Sequence, residues 1–155
     1  MKTKYLIMLL VIVCTVSCKN NNINENSISQ STNERQESIN GENMIDIKII
    51  IDNKEYLLNL ENSETTEEFL KLLPIELTMN ELNGNEKYSY LNSTLPSDSH
   101  KIKEIKKGDV MLFGNNCIVL FYKDFNTNYS YTSIGHIDNL PDFGNENISV
   151  KITNK

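Results

Sequence analysis

Basic side chains are scarce: 15 lysines and arginines stand against 21 aspartates and glutamates, and Arg35 is the single arginine in 155 residues. The net charge of −6 argues against nucleic acid as a partner, because binding a phosphate backbone needs a basic surface to displace counterions. Cysteine is also sparse. Of three, Cys14 and Cys18 lie near the N-terminus and Cys117 stands alone in an apolar run. One thiol builds neither a disulfide nor a cysteine metal site, so Cys117 reads as a buried small hydrophobe. The two histidines, His100 and His136, are far apart and lack the H-E-x-x-H spacing that sets two ring nitrogens on one helix face, so no metal is expected. No Gly-rich loop precedes a helix to cradle phosphates, and no G-x-S-x-G elbow marks a nucleophile. No cofactor is expected. With 39% hydrophobic and 23% charged residues, the composition excludes a collagen, a fully disordered chain or a polytopic membrane protein.

What is present begins with a targeting pattern. Two lysines within Met1 to Lys4 precede Tyr5 to Val16, where only Thr15 is not apolar, and then Ser17, Cys18 and a polar stretch follow. This is the layout of a secretion signal over residues 1–17. A twelve-residue helix rises only about 18 Å, well short of a hydrocarbon core of roughly 30 Å, so processing is favoured over a permanent span. The string Thr15-Val16-Ser17-Cys18 resembles a bacterial lipobox, which implies that Cys18 becomes the lipidated first residue; plain signal cleavage is the alternative. Loss of the two early lysines leaves 13 basic against 21 acidic side chains. Residues 19–43 are rich in Asn, Ser, Glu and Gln, with Ile23, Ile28 and Ile39 as the large apolar residues. They bury too little to offset their ordering entropy and read as a disordered tether reaching roughly 25 to 30 Å on average.

From Met44 to Lys155 the chain reads as one domain. Ile45, Ile47, Ile49 and Ile51 alternate with polar residues as in a half-buried strand, Asp52-Asn53-Lys54 turns, and Tyr56, Leu58 and Leu60 return. Thr65 and Glu68 have capping-box spacing, which predicts a short helix from Thr66 to Leu73 halted by Pro74. Ile75 to Met79 resumes a strand, Asn83-Gly84-Asn85 turns, and the segment through Pro96 and His100 reads as irregular. Val110 to Phe113, Cys117 to Tyr122, Tyr129 to Ile137 and Ile148 to Ile152 supply further strands, with Leu140 to Gly144 a turn or single helical turn. The run from Cys117 to Tyr122 predicts a strand covered on both faces. Seven or eight short strands with one or two short helices indicate a mainly β fold, a small closed barrel.

The order of the Ile-rich hairpin, the helix ending Leu72-Leu73-Pro74, Ile75-Glu76-Leu77-Thr78-Met79, Asn83 to Tyr88, Gly108-Asp109-Val110-Met111-Leu112, Phe121-Tyr122 and Tyr129 to Ile137 resembles the small bacterial cyclophilin-like domain family, from Met44 to about Thr153. The resemblance implies a reduced cyclophilin-type β-barrel and carries no demonstrated activity. Authentic cyclophilins are prolyl cis/trans isomerases that depend on an arginine in the groove. Arg35 lies in the tether, so the domain departs from that pattern, and a lysine lacks the planar fork. The resemblance also makes Glu86 a recurrent motif member, either a ligand contact or a carboxylate satisfying buried N–H groups, and puts His136 where a basic residue is frequent.

The candidate ligand-binding residues are Glu86, Tyr88, Tyr122, Phe125, Tyr129, Tyr131 and His136. Tyrosines near Tyr129 to Ile137, with Tyr129, Tyr131 and Ser133 on one face by alternation, suit a groove for an extended peptide or small apolar ligand; plain packing is the alternative. No residue is assigned a catalytic role. The sequence thus reads as an exported binding module anchored to a cell-envelope membrane, and a weak prolyl isomerase is the alternative.

Overall fold

Isoleucine alternation makes the opening strand half-buried, and it places Ile47, Ile49 and Ile51 in the core. The computed structural model describes residues 45–154; the expected signal segment, the lipidation site Cys18 and the tether to Asn43 lie outside the described residues. Strand β1 (Ile45–Ile51) turns through Asp52 and Asn53, both at positive φ as a two-residue hairpin loop requires, into β2 (Lys54–Leu60). Helix α1 (Glu64–Leu70) follows, then β3 (Ile75–Leu82), β4 (Glu86–Tyr90), β5 (His100–Lys101), β6 (Glu104–Ile105), β7 (Asp109–Phe113), β8 (Cys117–Phe121), β9 (Phe125–Asn126), β10 (Ser130–Ile137) and β11 (Ile148–Thr153). Eight strands run β2-β1-β11-β3-β4-β8-β7-β10, and β10 pairs back onto β2. The domain is therefore a closed, antiparallel, mainly β barrel with one short helix among the described residues, as the sequence predicts.

Several boundaries differ. The helix starts earlier and stops earlier than Thr66 to Leu73, because its capping box is Ser63 with Thr66 rather than Thr65 with Glu68. Thr65 and Thr66 are buried instead, and Thr65 Oγ1 donates to the Pro96 carbonyl at 2.8 Å. The segment expected to be irregular is pinned: Leu91 and Leu95 are buried, their amides donating to Asn116 and Asn115 carbonyls at 2.7 Å. It ends in β5, which pairs with β10, while β6 pairs with β9 in a separate two-stranded ladder. Leu140 to Gly144 forms no helical turn, and β10 starts at Ser130 rather than Tyr129.

Strand β8 is buried along its whole length. Ile118 and Leu120 face the barrel interior with Leu58, Phe69, Leu112, Ile134 and Val150, whereas Cys117, Val119 and Phe121 face a second cluster with Ile105, Met111 and Tyr131. The expectation of a strand covered on both faces holds. Parity explains the arrangement, since successive side chains of a strand point to opposite faces.

Closure of the barrel depends on a close backbone approach. Between Ser133 and Gly135 the β7–β10 register shifts, and after this irregularity Gly135, His136 and Ile137 pair with Leu60, Asn59 and Leu58 of β2. A Cβ at Gly135 would lie 2.2 Å from the Asn59 carbonyl oxygen, a backbone atom with little room to yield. The same region holds Gly108, at φ +101, whose carbonyl accepts from the Ile137 amide at 2.9 Å.

On the interior-facing side of β4, Lys87 is fully buried. Its Nζ donates to Glu81 Oε2 at 2.5 Å and to the Gly144 and Glu146 carbonyls at 2.6 and 2.7 Å. Glu81 also accepts from the Tyr122 hydroxyl at 2.8 Å and from the Gly84 amide at 2.6 Å. All three ammonium donors thus have acceptors, the condition under which a buried charge is tolerable. Burial by itself would raise the Glu81 pKa; the donors from Lys87, Tyr122 and Gly84 outweigh it and hold the carboxyl below its ordinary value. The network fastens the segment before β11 to the β3–β4 hairpin.

Gly135→Ala is expected to destabilise the domain by about 1–3 kcal/mol through overpacking at the seam, read as a lower urea midpoint. Gly144→Ala, where an added Cβ meets nothing within 4 Å, should stay within about 0.5 kcal/mol of the parent. Equal midpoints for the two variants would show that the seam is not the constraint.

Candidate functional site

The turn after β3 sets up β4 so that Glu86, Tyr88 and Tyr90 project outward while Lys87 projects inward. Their β8 partners in register are Phe121, Val119 and Cys117. Phe113 at the end of β7 lies opposite Cys117 across the other side of β8. Tyr129 and Tyr131 arrive from the start of β10. The result is a cleft of about 330 Å³ on the outer face of the barrel, lined by Glu86, Tyr88, Tyr90, Phe113, Tyr129 and Tyr131 at its walls, by Cys117 and Val119 between them, and by Leu82 and Asn83 from the β3–β4 turn.

The rings are set at steep angles to one another. Tyr88 and Tyr90 meet edge to face at 6.0 Å and 82°, and Phe113 meets Tyr129 at 6.2 Å and 89°. Phe113 also lies 5.6 Å from Tyr131, whose own edge contact with Phe121 at 5.5 Å anchors it. Tyr131 is buried, whereas Tyr129, Tyr90, Phe113 and Leu82 are 65%, 64%, 45% and 43% exposed. Those four belong to the six large apolar side chains that the described residues leave exposed. Their convergence on one cleft sets it apart from the rest of the described surface, since isolated exposed apolar residues are ordinary and clustered ones are not.

Glu86 is the charged group of the cleft and is only 8% exposed. Burial raises its carboxyl pKa, a hydrogen bond from the Asn83 side chain lowers it, and the charge on Glu81 raises it further; the net direction is upward. Burial, together with the field of Glu86, pushes the Tyr131 hydroxyl up to about 12 and raises the Cys117 thiol above its usual value. Both are thus protonated at neutral pH.

Of the seven residues singled out in the sequence, the structure brings Glu86, Tyr88, Tyr129 and Tyr131 to this one cleft. Three others lie elsewhere. Tyr122 has the same parity as Ile118 and Leu120, faces the main core and packs on Phe143 at 5.8 Å. Phe125 pairs with Ile105 and packs on Phe121 at 5.6 Å, behind the second cluster. His136 sits at the seam, its Nδ1 3.0 Å from Asp109 Oδ1 and its Nε2 3.7 Å from Asp138 Oδ1. Ser133 also departs from the face expected for it with the tyrosines, since its hydroxyl donates to Glu61 at 2.5 Å. The residues that sequence reasoning passed over are Tyr90 and Phe113. The strict alternation Glu86, Tyr88, Tyr90 already contained the first; the second needed the β7–β8 register. Among the described residues no group of three or more His, Cys, Asp and Glu side chains is placed to hold a metal ion, and no helix is long and apolar enough to cross a membrane.

With Cys14 and Cys18 replaced by serine, Cys117 should react with a neutral thiol reagent at least about tenfold more slowly in the native chain than in urea, since its thiol is both buried and protonated. Native labelling as fast as in urea would mean that the floor of the cleft is open.

Residues 49–153 match the cyclophilin-like family. Among solved structures, that of a hypothetical protein from Archaeoglobus fulgidus, determined in solution, is similar with a TM-score of 0.54 and 22% identity, over 72% of this chain and 95% of that one. A likeness at that identity concerns the fold alone. No curated protein matches the chain at a significant level. With the match extending from β1 to the end of β11 over a closed eight-strand barrel, the chain belongs to the cyclophilin-like family.

Proposed function

We propose that the domain is a binding module that takes an extended peptide segment or a small molecule into the aromatic cleft. The observation that carries this reading is the gathering of Leu82, Tyr90, Phe113 and Tyr129, exposed and apolar, around the buried Glu86 and Tyr131. Exposed rings of this kind offer large contact areas with two side-chain torsions each to fix, and the hydroxyls of Tyr88 and Tyr131 supply direction. A cleft of about 330 Å³ lies within the range that small-molecule sites occupy.

The arrangement supports binding better than prolyl isomerisation. Twisting a peptide bond out of conjugation meets a barrier of about 18–20 kcal/mol, and lowering it calls for a donor aimed at the twisting amide. The cleft lining contains no arginine and no lysine, and its one charged group is a carboxylate. The location proposed for the module is outside the cytoplasm, at a cell-envelope membrane, with Cys18 lipidated and residues 19–43 as the tether. Each buried CH₂ of an acyl chain contributes about 0.8 kcal/mol, and more than one chain gives a stable hold.

Titration of the full chain with a library of extended peptides and small apolar molecules should shift the NMR resonances of Tyr88, Cys117 and Tyr131 together and leave those of Phe125 and His136 in place. A proline peptide whose isomerisation the chain accelerates, and Tyr131→Ala slows, would replace this reading with the enzyme. For the anchor, Cys18→Ser should move the chain from the membrane fraction to the soluble fraction of the cells that make it; unchanged fractionation would remove lipidation from the account.

A further inference from the structure

Resting on the binding reading above, we propose that the ligand of the cleft carries an organic cation, an alkylammonium or guanidinium group, which Glu86 neutralises and which the surrounding aromatic rings hold by their faces. The first argument is charge. Glu86 is 8% exposed, and no cation among the described residues pairs with it. Three other carboxylates, Glu76, Glu81 and Asp142, pair with Lys151, Lys87 and Lys107, and among the described residues Glu86 and no other acidic residue is buried. Lys87, next in sequence to Glu86, points to the opposite face and has its three donors engaged. A buried carboxylate without a cation is costly, and an incoming positive group relieves that cost.

The second argument is the geometry of the rings. The Tyr88–Tyr90 pair stands on the β4 side of β8 and the Phe113–Tyr129 pair on the β7–β10 side, each close to perpendicular. Perpendicular rings around one space present faces from several directions, and aromatic faces carry negative potential. A neutral apolar ligand would use the rings but leave Glu86 uncompensated, and an anion would be repelled. A metal ion is poorly served by a single carboxylate with tyrosines. The cleft volume of about 330 Å³ leaves room for the chain that bears the cation as well as for its head.

Proton linkage follows from the surroundings of Glu86. Burial and the charge of Glu81 raise its pKa against the opposing hydrogen bond of Asn83. Tyr131 and Cys117, the other titratable groups that feel this carboxylate, are both raised and stay neutral through the carboxylate range. A cation that needs the ionised carboxylate therefore binds more tightly as pH rises through the upper carboxylate range, and its entry releases a proton there.

The test is an NMR titration of the full chain with matched probes: choline against its neutral isostere 3,3-dimethylbutan-1-ol, and N-acetylargininamide against N-acetylcitrullinamide. The cation of at least one pair should bind about tenfold more tightly than its neutral partner, and which pair shows the gap separates an ammonium-bearing ligand from a guanidinium-bearing one. Glu86→Gln should abolish that preference. Phe113→Leu, at an exposed rim position that keeps its apolar character, should reduce it, and this variant carries the test if Glu86→Gln does not fold. Equal binding of charged and neutral partners, or a preference that survives both variants, overturns the cationic ligand. If neutral probes shift the cleft resonances and the cations gain nothing, the binding module stands and the cation is wrong; if no probe shifts them, both readings fall.

Discussion

The contact on which this domain depends is the approach of the β10 backbone to β2 at Gly135. Eight strands close because β10, still paired with β7 on one side, also pairs with β2 on the other, and it does so just after the register irregularity between Ser133 and Gly135. Any side chain at Gly135 would occupy the space of the Asn59 carbonyl. Closure removes the free strand edges that an open sheet of this size would present to other chains. It also fixes the outer face, because the strand that makes the seam begins with Ser130 and Tyr131, at one wall of the cleft. Barrel closure and cleft geometry are thus properties of one strand.

Strand β4 does comparable work with two adjacent charges. Lys87 goes inward, where Glu81 and two carbonyls satisfy it completely and where it ties the segment before β11 to the β3–β4 hairpin. Glu86 goes outward and is buried without a cationic partner among the described residues. Both are nearly inaccessible, yet one is a cation in a finished structural contact and the other is a carboxylate held by Asn83 that faces a cleft of about 330 Å³. The difference arises from strand parity alone.

Much of the fold was legible in the sequence. Period-two alternation located β1, β2 and β11, the Asn83-Gly84-Asn85 turn marked the end of β3 without naming β4 after it, and the unbroken run from Cys117 to Tyr122 announced a strand with cover on both sides. Half-turn errors came where two local signals competed: Ser63 with Thr66 and Thr65 with Glu68 are both plausible caps, and the burial of Thr65 and Thr66 against the following segment decided between them. The candidate site was legible in part. Glu86, Tyr88, Tyr129 and Tyr131 converge, but Tyr122 and Phe125 were grouped with them by nearness in sequence, which ignores parity for the first and the β6–β9 ladder for the second. His136 lies beyond the register irregularity, where simple alternation no longer predicts direction. Phe113 was invisible because its membership depends on how β7 is laid against β8.

Strand β8 is shared by two apolar clusters, and this sharing separates the floor of the cleft from its rim. A larger side chain at Cys117 or Val119 would fill the space between the rings, and their neighbours Ile118 and Leu120 are held by the barrel interior. The rim is different: Leu82, Tyr90, Phe113 and Tyr129 are exposed, and their replacement leaves the interior untouched. Substitution at these four edge positions therefore alters the walls of the cleft without disturbing the barrel beneath it.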